Sequence, residues 1–341
     1  MDDETAKLTI CNGRSKMSVG LIINPKSGKE SGYGLKLAEI LRQRGVEPEI
    51  VEVKVIEDFG ALQHMMDDFA AREITTLFIS SGDGTVQAIQ TDIAERKKFA
   101  QQPALCLLPH GTTNMTAADL GFSVKSLEQQ ADFIIGLGRG DLPSDVRKRP
   151  TVRVVNPRDG MTRHGMFVGT GAAWQGTMFC QTDVHKTGLK GDWATFATLA
   201  TALFKAAFFK ANPTDLSRID RPYEMEIVGD GQTMARGGQL MYLATTLQKL
   251  ILGVKPFWGG ASGTMRSTII GYPPPNVFRW ALPLMRGGEE RKVPDGAVSF
   301  CADEVLIATK CSFVIDGEFF DPPENEPLRL EVGPEFSYVC G

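Results

Sequence analysis

At 341 residues, 42% hydrophobic and 23% charged, the chain is too long for one small domain and too apolar for disorder, so two packed domains are expected. A formal net charge of −4 excludes an electrostatic nucleic-acid binder, which presents a basic surface, and leaves room for a local patch against a membrane. Six scattered cysteines, with no C-x-x-C pair and the four histidines distant in sequence, exclude a zinc ribbon and fit thiols in a reducing cytoplasm.

The acidic start Met1-Asp2-Asp3-Glu4 has no apolar run behind it and is no signal peptide. No apolar run reaches the roughly 18 residues a spanning helix requires. A cytoplasmic protein, soluble or peripherally attached to a membrane, is expected. A homodimer is left open.

In chain order, Ser18 to Ile23 is an apolar run of strand length. Leu35, Ala38 and Leu41 recur at helical spacing, with Gly45 as a stop. Glu49 to Val53 reads as a second strand and Leu62 to Ala71 as a helix. Thr76 to Ile79 and Ala104 to Leu108 are two further buried strands, each followed by a helical pattern. Such alternation predicts an α/β domain, a parallel sheet with helices on both faces.

From about Thr151 the texture becomes β-rich. Short runs appear at 151–155, 166–169, 223–228, 240–245, 304–308, 312–315 and 328–332, with Asp230-Gly231 as a turn signal. A helical insertion is expected near 192–211. The boundary falls in the Gly- and Pro-bearing stretch 136–150, giving domains of 1–145 and 146–341.

Three strands of the first domain run into loops suited to phosphate. These are Asn24-Pro25-Lys26-Ser27-Gly28-Lys29, Ser80-Ser81-Gly82-Asp83-Gly84-Thr85 and Pro109-His110-Gly111-Thr112-Thr113-Asn114. Glycine permits close backbone approach, helix-start amides face an anion, and hydroxyls add donors. The carboxyl ends of the strands of an open parallel sheet face one crevice. Neither a Walker A loop nor the three-glycine dinucleotide fingerprint is present. Each loop alone reads as readily as turn chemistry as it does as a phosphate site; three in phase with three strands are much harder to explain as turns.

These loops resemble the motifs of the diacylglycerol kinase catalytic-domain family, which includes sphingosine, ceramide and bacterial lipid kinases. Asn24-Pro25-x-Ser27-Gly28 is similar to its first motif. Ser81-Gly82-Asp83-Gly84-Thr85 resembles its Gly-Gly-Asp-Gly-Thr motif in the Ser-first form of sphingosine kinases. Pro109 to Asn114 resembles its Pro-x-Gly-Thr-x-Asn motif, and Asp316-Gly317-Glu318 its late Asp-Gly-Glu motif.

The resemblance implies a doubly wound nucleotide domain, a β-sandwich-like second domain, and an active site between them. It implies ATP and Mg²⁺ as cofactors and a membrane lipid as acceptor. Asn24, Ser27, Gly28, Gly82, Asp83, Gly84, Thr85, Gly111, Thr112 and Asn114 would line the ATP site, Asp316 would be the general base, and Glu318 its neighbour. Two departures stand beside it. Met115 follows Asn114 where many members have an aspartate. The stretch from Gly259 through Tyr272 to Asn276 lacks the acidic pair of many bacterial members, which shifts the expected acceptor toward a sphingolipid.

Asp83, between two glycines at a helix start, is expected to orient Mg²⁺ directly or through water, to act on the acceptor, or to serve as an N-cap. Asp316-Gly317 is equally a hairpin signal. Glu318 shares a side with Asp316 only if the chain stays extended. His110 either touches ATP or faces solvent. The apolar segment Trp193–Lys210 reads as a buried helix or the wall of an acyl tunnel. Phe278–Arg286 reads as a membrane-inserting loop or ordinary packing. The rival functions are a soluble-substrate kinase of the NAD kinase type and a non-catalytic lipid- or nucleotide-binding protein.

Overall fold

The structure is a computed structural model that describes residues 18–28, 32–140, 145–187, 221–250, 253–258, 264–273, 287–288, 292–293 and 295–340. The expected insertion at 192–211, the Phe278–Arg286 loop, Gly259–Gly263 and Lys29 lie outside them. The chain divides into two compact units, between Arg149 and Pro150 and again between Gly333 and Pro334. The first unit thus takes back a C-terminal segment that the single boundary at 145/146 assigned to the second.

In the first unit, strands β1 (Val19–Ile23), β2 (Val51–Val55), β3 (Thr76–Ser81) and β4 (Ala104–Pro109) alternate with helices α1 (Tyr33–Gln43), α2 (Leu62–Ala71), α3 (Asp83–Arg96), α4 (Met115–Leu120) and α5 (Leu127–Arg139). β1 and β3 are buried at every residue, the mark of strands covered on both faces. Val19, Leu21 and Ile23 pack with Phe78, Cys106 and Leu108 against Leu37 and Leu41 of α1 and Ile134 and Leu137 of α5. On the opposite face a Cβ at Gly20 would lie 2.9 Å from Phe69 of α2.

Helix α1 departs from its reading. Gly34, Leu37 and Leu41 face inward while Leu35 is exposed. Gly34 turns in because a Cβ there would lie 2.3 Å from Ser80 Oγ, so the helix can seat on the sheet only through a residue without a side chain. α5 starts on a capping box of Ser126 and Gln129 and stops at left-handed Gly140.

All pairings in this sheet are parallel, in the order β2–β1–β3–β4 followed by the last strand of the chain, β15 (Leu328–Cys340), which pairs Tyr338 with Leu105 of β4. This is the doubly wound order 2-1-3-4-5, with the fifth place filled from the C-terminal segment. Gln90 Nε2 of α3 donates to the Tyr338 hydroxyl at 2.5 Å, and both side chains are buried.

The second unit is antiparallel. Its strands are β5 (Asp145–Val154, which enters from the first unit), β6 (Arg163–Gly165), β7 (Phe167–Gly171), β8 (Tyr223–Gly229), β9 (Gln232–Thr245), β10 (Met265–Gly271), β11 (Ala297–Ala302), β12 (Glu304–Thr309), β13 (Phe313–Ile315) and β14 (Glu318–Phe320), with helix α6 (Ala172–Thr187) after β7. The sheet runs β14–β13–β7–β9–β8–β12–β15, and β10 joins β9 to β11. Tyr223, Met225 and Ile227 alternate inward along β8 and meet Val152, Ile307 and Leu330 in one core. Two hairpins turn on Asp-Gly pairs in left-handed conformation, Asp230-Gly231 and Asp316-Gly317. Among the described residues no helix is long and apolar enough to cross a membrane.

Candidate active site

The sheet order reverses at β1, with β2 on one side and β3 on the other, and ligand crevices open at such a point. The first two loops follow β1 and β3, and the third follows β4 beside them. Three glycines close these loops on one another. A Cβ at Gly28 would lie 2.4 Å from the carbonyl oxygen of His110, and one at Gly111 would lie 2.3 Å from the Cα of Gly82. A Cβ at Gly82 would in turn sit 3.3 Å from Ser27 Oγ. Gly28 and Gly111 are therefore required by loop-to-loop contact alone, while at Gly82 the fit is merely tight.

Side chains reinforce that contact. Asn24 Nδ2 donates to Thr85 Oγ1 at 2.9 Å, tying the first loop to the second, while its Oδ1 accepts from Lys26 N at 3.0 Å. Asn114, held left-handed, accepts from Gly111 N at 2.8 Å and donates to the carbonyls of Gly111 and Pro109. The amide groups of Asn24 and Asn114 are thus spent on shaping loops. Ser27 brings its hydroxyl to the assembly, Thr112 stands exposed on the third loop, and the N-terminus of α3, on Gly82, carries no side-chain cap. Uncapped first-turn amides are the donors that an anion uses.

Asp83 does cap a helix, but not its own. Its Oδ2 accepts from Met115 N at 3.0 Å and its Oδ1 from Thr116 N at 3.3 Å, so it serves the first turn of α4 across the crevice. Burial pushes its carboxyl above the ordinary aspartate value, and the two amide bonds work against that shift. Met115, a departure in type, contributes through its backbone.

His110 is partly buried and turned onto neighbouring side chains. Its Nδ1 lies 2.8 Å from Ser80 Oγ and its Nε2 3.0 Å from Gln130 Oε1, and the Tyr33 ring lies 5.7 Å from its own. Gln130 and Tyr33 carried no signal in the sequence, and Ser80 stood there only as part of the second loop, because their partner is remote in the chain.

In the second unit Asp316 is buried in its hairpin, and its two oxygens accept from Met166 N and Phe167 N, each at 2.9 Å. Asp230 repeats the device, accepting from Asp303 N and Glu304 N. Glu318 does not share an extended segment with Asp316. The turn intervenes, and Glu318 stands exposed opposite Ile315 on β14.

Residues 18–140 match the diacylglycerol kinase catalytic domain. Over 115 residues the chain is 32% identical to a probable lipid kinase YegS-like protein of Enterobacter sp. (strain 638), covering 34% of this chain and 36% of that one. It is 30% identical over 118 residues to a diacylglycerol kinase of Bacillus subtilis (strain 168), covering 34% and 37%. The matches thus span little more than a third of these relatives.

Fold similarity extends much further. A diacylglycerol kinase structure from Bacillus anthracis str. Sterne aligns with a TM-score of 0.60 at 15% identity, covering 95% of this chain and 97% of the other. Yeast NADH kinase aligns with a TM-score of 0.51 at 10% identity, covering 98% and 89%. The α/β unit followed by a strand-rich unit is therefore the fold these kinases share, and the match to the diacylglycerol kinase catalytic domain is confined to residues 18–140 of this chain.

Proposed function

We propose that the protein is an ATP-dependent lipid kinase that transfers the γ-phosphate to a hydroxyl of a membrane lipid. The observation that carries this reading is the closure of Gly28, Gly82 and Gly111 at the switch point, beside the uncapped first turn of α3. That arrangement offers backbone amides and the hydroxyls of Ser27 and Thr112 to phosphate oxygens. Phosphoryl transfer asks a protein mainly for positioning and charge neutralisation, and a cradle of backbone donors suits it.

Among the described residues no three His, Cys, Asp or Glu side chains group together as a cage for a metal. Asp83 is the carboxylate at the cradle, and each of its oxygens keeps a lone pair beyond the amide it accepts. Magnesium that arrives on the nucleotide needs few protein ligands, and Asp83 fits as one, directly or through water. The ion would neutralise phosphate charge beside this carboxylate.

Asp316 is the candidate base in the second unit. Its role is weighed against its two amide bonds, which make it a structural clamp as well.

The acceptor is assigned as a lipid of the diacylglycerol, ceramide or sphingoid type because the relatives matched in sequence are a probable lipid kinase and a diacylglycerol kinase. A soluble acceptor such as NAD is less favoured, because the yeast NADH kinase shares the fold at only 10% identity. Peripheral attachment to a membrane follows from the acceptor.

The test is transfer of labelled γ-phosphate from ATP to vesicles containing diacylglycerol, ceramide or sphingosine, with NAD in a separate arm. Label in one lipid is expected. Label in NAD alone would make the protein a soluble-substrate kinase. Nucleotide binding without transfer would make it a non-catalytic binder.

A further inference from the structure

The third loop holds a histidine that the reading above leaves unused. Gln130 Nε2 donates to the carbonyl of Val124 at 3.2 Å, which turns Gln130 Oε1 toward His110. An amide oxygen only accepts, so Nε2 of His110 carries the proton. Nδ1 is then an acceptor, and it faces the Ser80 hydroxyl at 2.8 Å. One ring thereby fastens the loop after β4 to the end of β3 and to α5. The backbone of the same residue supports the first loop, since Gly28 approaches the His110 carbonyl more closely than any side chain would permit.

We propose that His110 is a positioning residue of the nucleotide cradle, fastening the three loops in its neutral, Nε2-protonated form, so that removing or protonating it weakens nucleotide binding more than turnover. The assignment rests on reading these loops as a phosphate cradle.

The groups that face the ring are Ser80 from β3, Gln130 from α5 and Tyr33 from α1, with Lys36 Nζ 5.6 Å from the Tyr33 ring. Tyr33 and Lys36 are the titratable ones, and neither supplies a negative charge to favour imidazolium. Burial holds His110 below the ordinary imidazole value, with the Gln130 bond opposing. A histidine with a lowered pKa in the closed cradle favours closure, a contribution fully present above about 6.5 and lost as pH falls below that toward the lowered value.

The experiment measures the affinity of the full chain for magnesium and a non-hydrolysable ATP analogue by calorimetry at pH 7.5 and 6.0, with KM and kcat alongside. His110→Ala is expected to raise KM for ATP about tenfold at pH 7.5, with kcat changed less than threefold. His110→Gln, which keeps a neutral donor and acceptor but cannot be protonated, is expected to show a KM between those of wild type and His110→Ala. It is also expected to lose the part of the pH dependence that the wild type shows. Ser80→Ala, which keeps the ring and removes its hydroxyl partner, should move KM in the same direction as His110→Ala.

A folded His110→Ala with unchanged KM would overturn the assignment, as would a pH dependence equal in wild type and His110→Gln. A wild type that binds no nucleotide at either pH would overturn the cradle reading itself.

Discussion

Gly111 and Gly82 meet backbone to backbone, so that a methyl group on Gly111 would lie 2.3 Å from the Cα and 2.8 Å from the nitrogen of Gly82. No side chain can move aside to relieve that overlap. Gly111→Ala is therefore expected to push the second and third loops apart, costing about 1–3 kcal/mol and abolishing nucleotide binding. Gly176→Ala is the control of opposite sign. Gly176 lies within α6, has open space at its Cβ, and should gain about 0.5–1 kcal/mol. Thermal unfolding of both variants, with calorimetry against ATP for the first, checks the pair.

Asp83 joins the second loop to α4 through two amides, and the consequence of losing it is both local and chemical. Asp83→Asn keeps one acceptor but points an amide donor at a backbone N–H. It should cost about 1 kcal/mol and weaken nucleotide and magnesium binding together with rate. Unchanged magnesium dependence with normal turnover in a folded variant would remove Asp83 from the site.

Asp316 can be judged against Asp230, which holds the same left-handed hairpin position and likewise accepts from two consecutive backbone amides. Both Asp316→Asn and Asp230→Asn should lower stability, Asp316→Asn by about 1–3 kcal/mol and Asp230→Asn by less, because Asp316 is buried and Asp230 exposed. If Asp316 is also the base, kcat should fall about a hundredfold in Asp316→Asn alone, with ATP affinity nearly unchanged. Equal losses of activity in the two variants would leave Asp316 as a clamp only. Glu318→Gln should leave kcat unchanged, because the turn carries Glu318 away from that segment.

Cys106 is fully buried, and its thiol is pushed far above the ordinary value by burial. It should resist alkylation in the folded protein at pH 8 and react once unfolded. Peptide-level mass spectrometry after a short iodoacetamide pulse reads this directly.

The first unit was legible where the signal is local. Leu62–Ala71 was delimited by periodicity alone, and β1, β3 and β4 by their unbroken apolar runs. β2 lies two residues later than read, because Glu49 and Ile50 belong to a turn closed by Ile50 N on the Glu47 carbonyl, beyond the end of α1. The β-rich character of the second half was legible too, but its strands were read short. The first half of β9 is polar and glycine-bearing, and β10 and β11 lack the alternation that marks a half-exposed strand.

The site was legible as loops but not as contacts. The partners of Asp83 are backbone amides, which every residue possesses, and those of His110 are a serine and a glutamine that no local pattern distinguishes. The fifth strand of the first sheet was hidden for a related reason. Its segment opens on Gly333-Pro334, which reads as a strand stop, and its partner Leu105 is remote in the chain.

The position of that strand has a consequence for biogenesis. Residues 334–340 leave the ribosome only after the whole of the second unit, yet they cover one edge of the first sheet and supply the hydroxyl that Gln90 meets inside it. Domains made in order usually fold in order; here the earlier one waits. Until Tyr338 arrives, β4 exposes an unpaired edge beside the nascent nucleotide loops, an opening for chaperones and for aggregation alike. Closure of the first sheet should therefore come late in synthesis, after the second unit has been made.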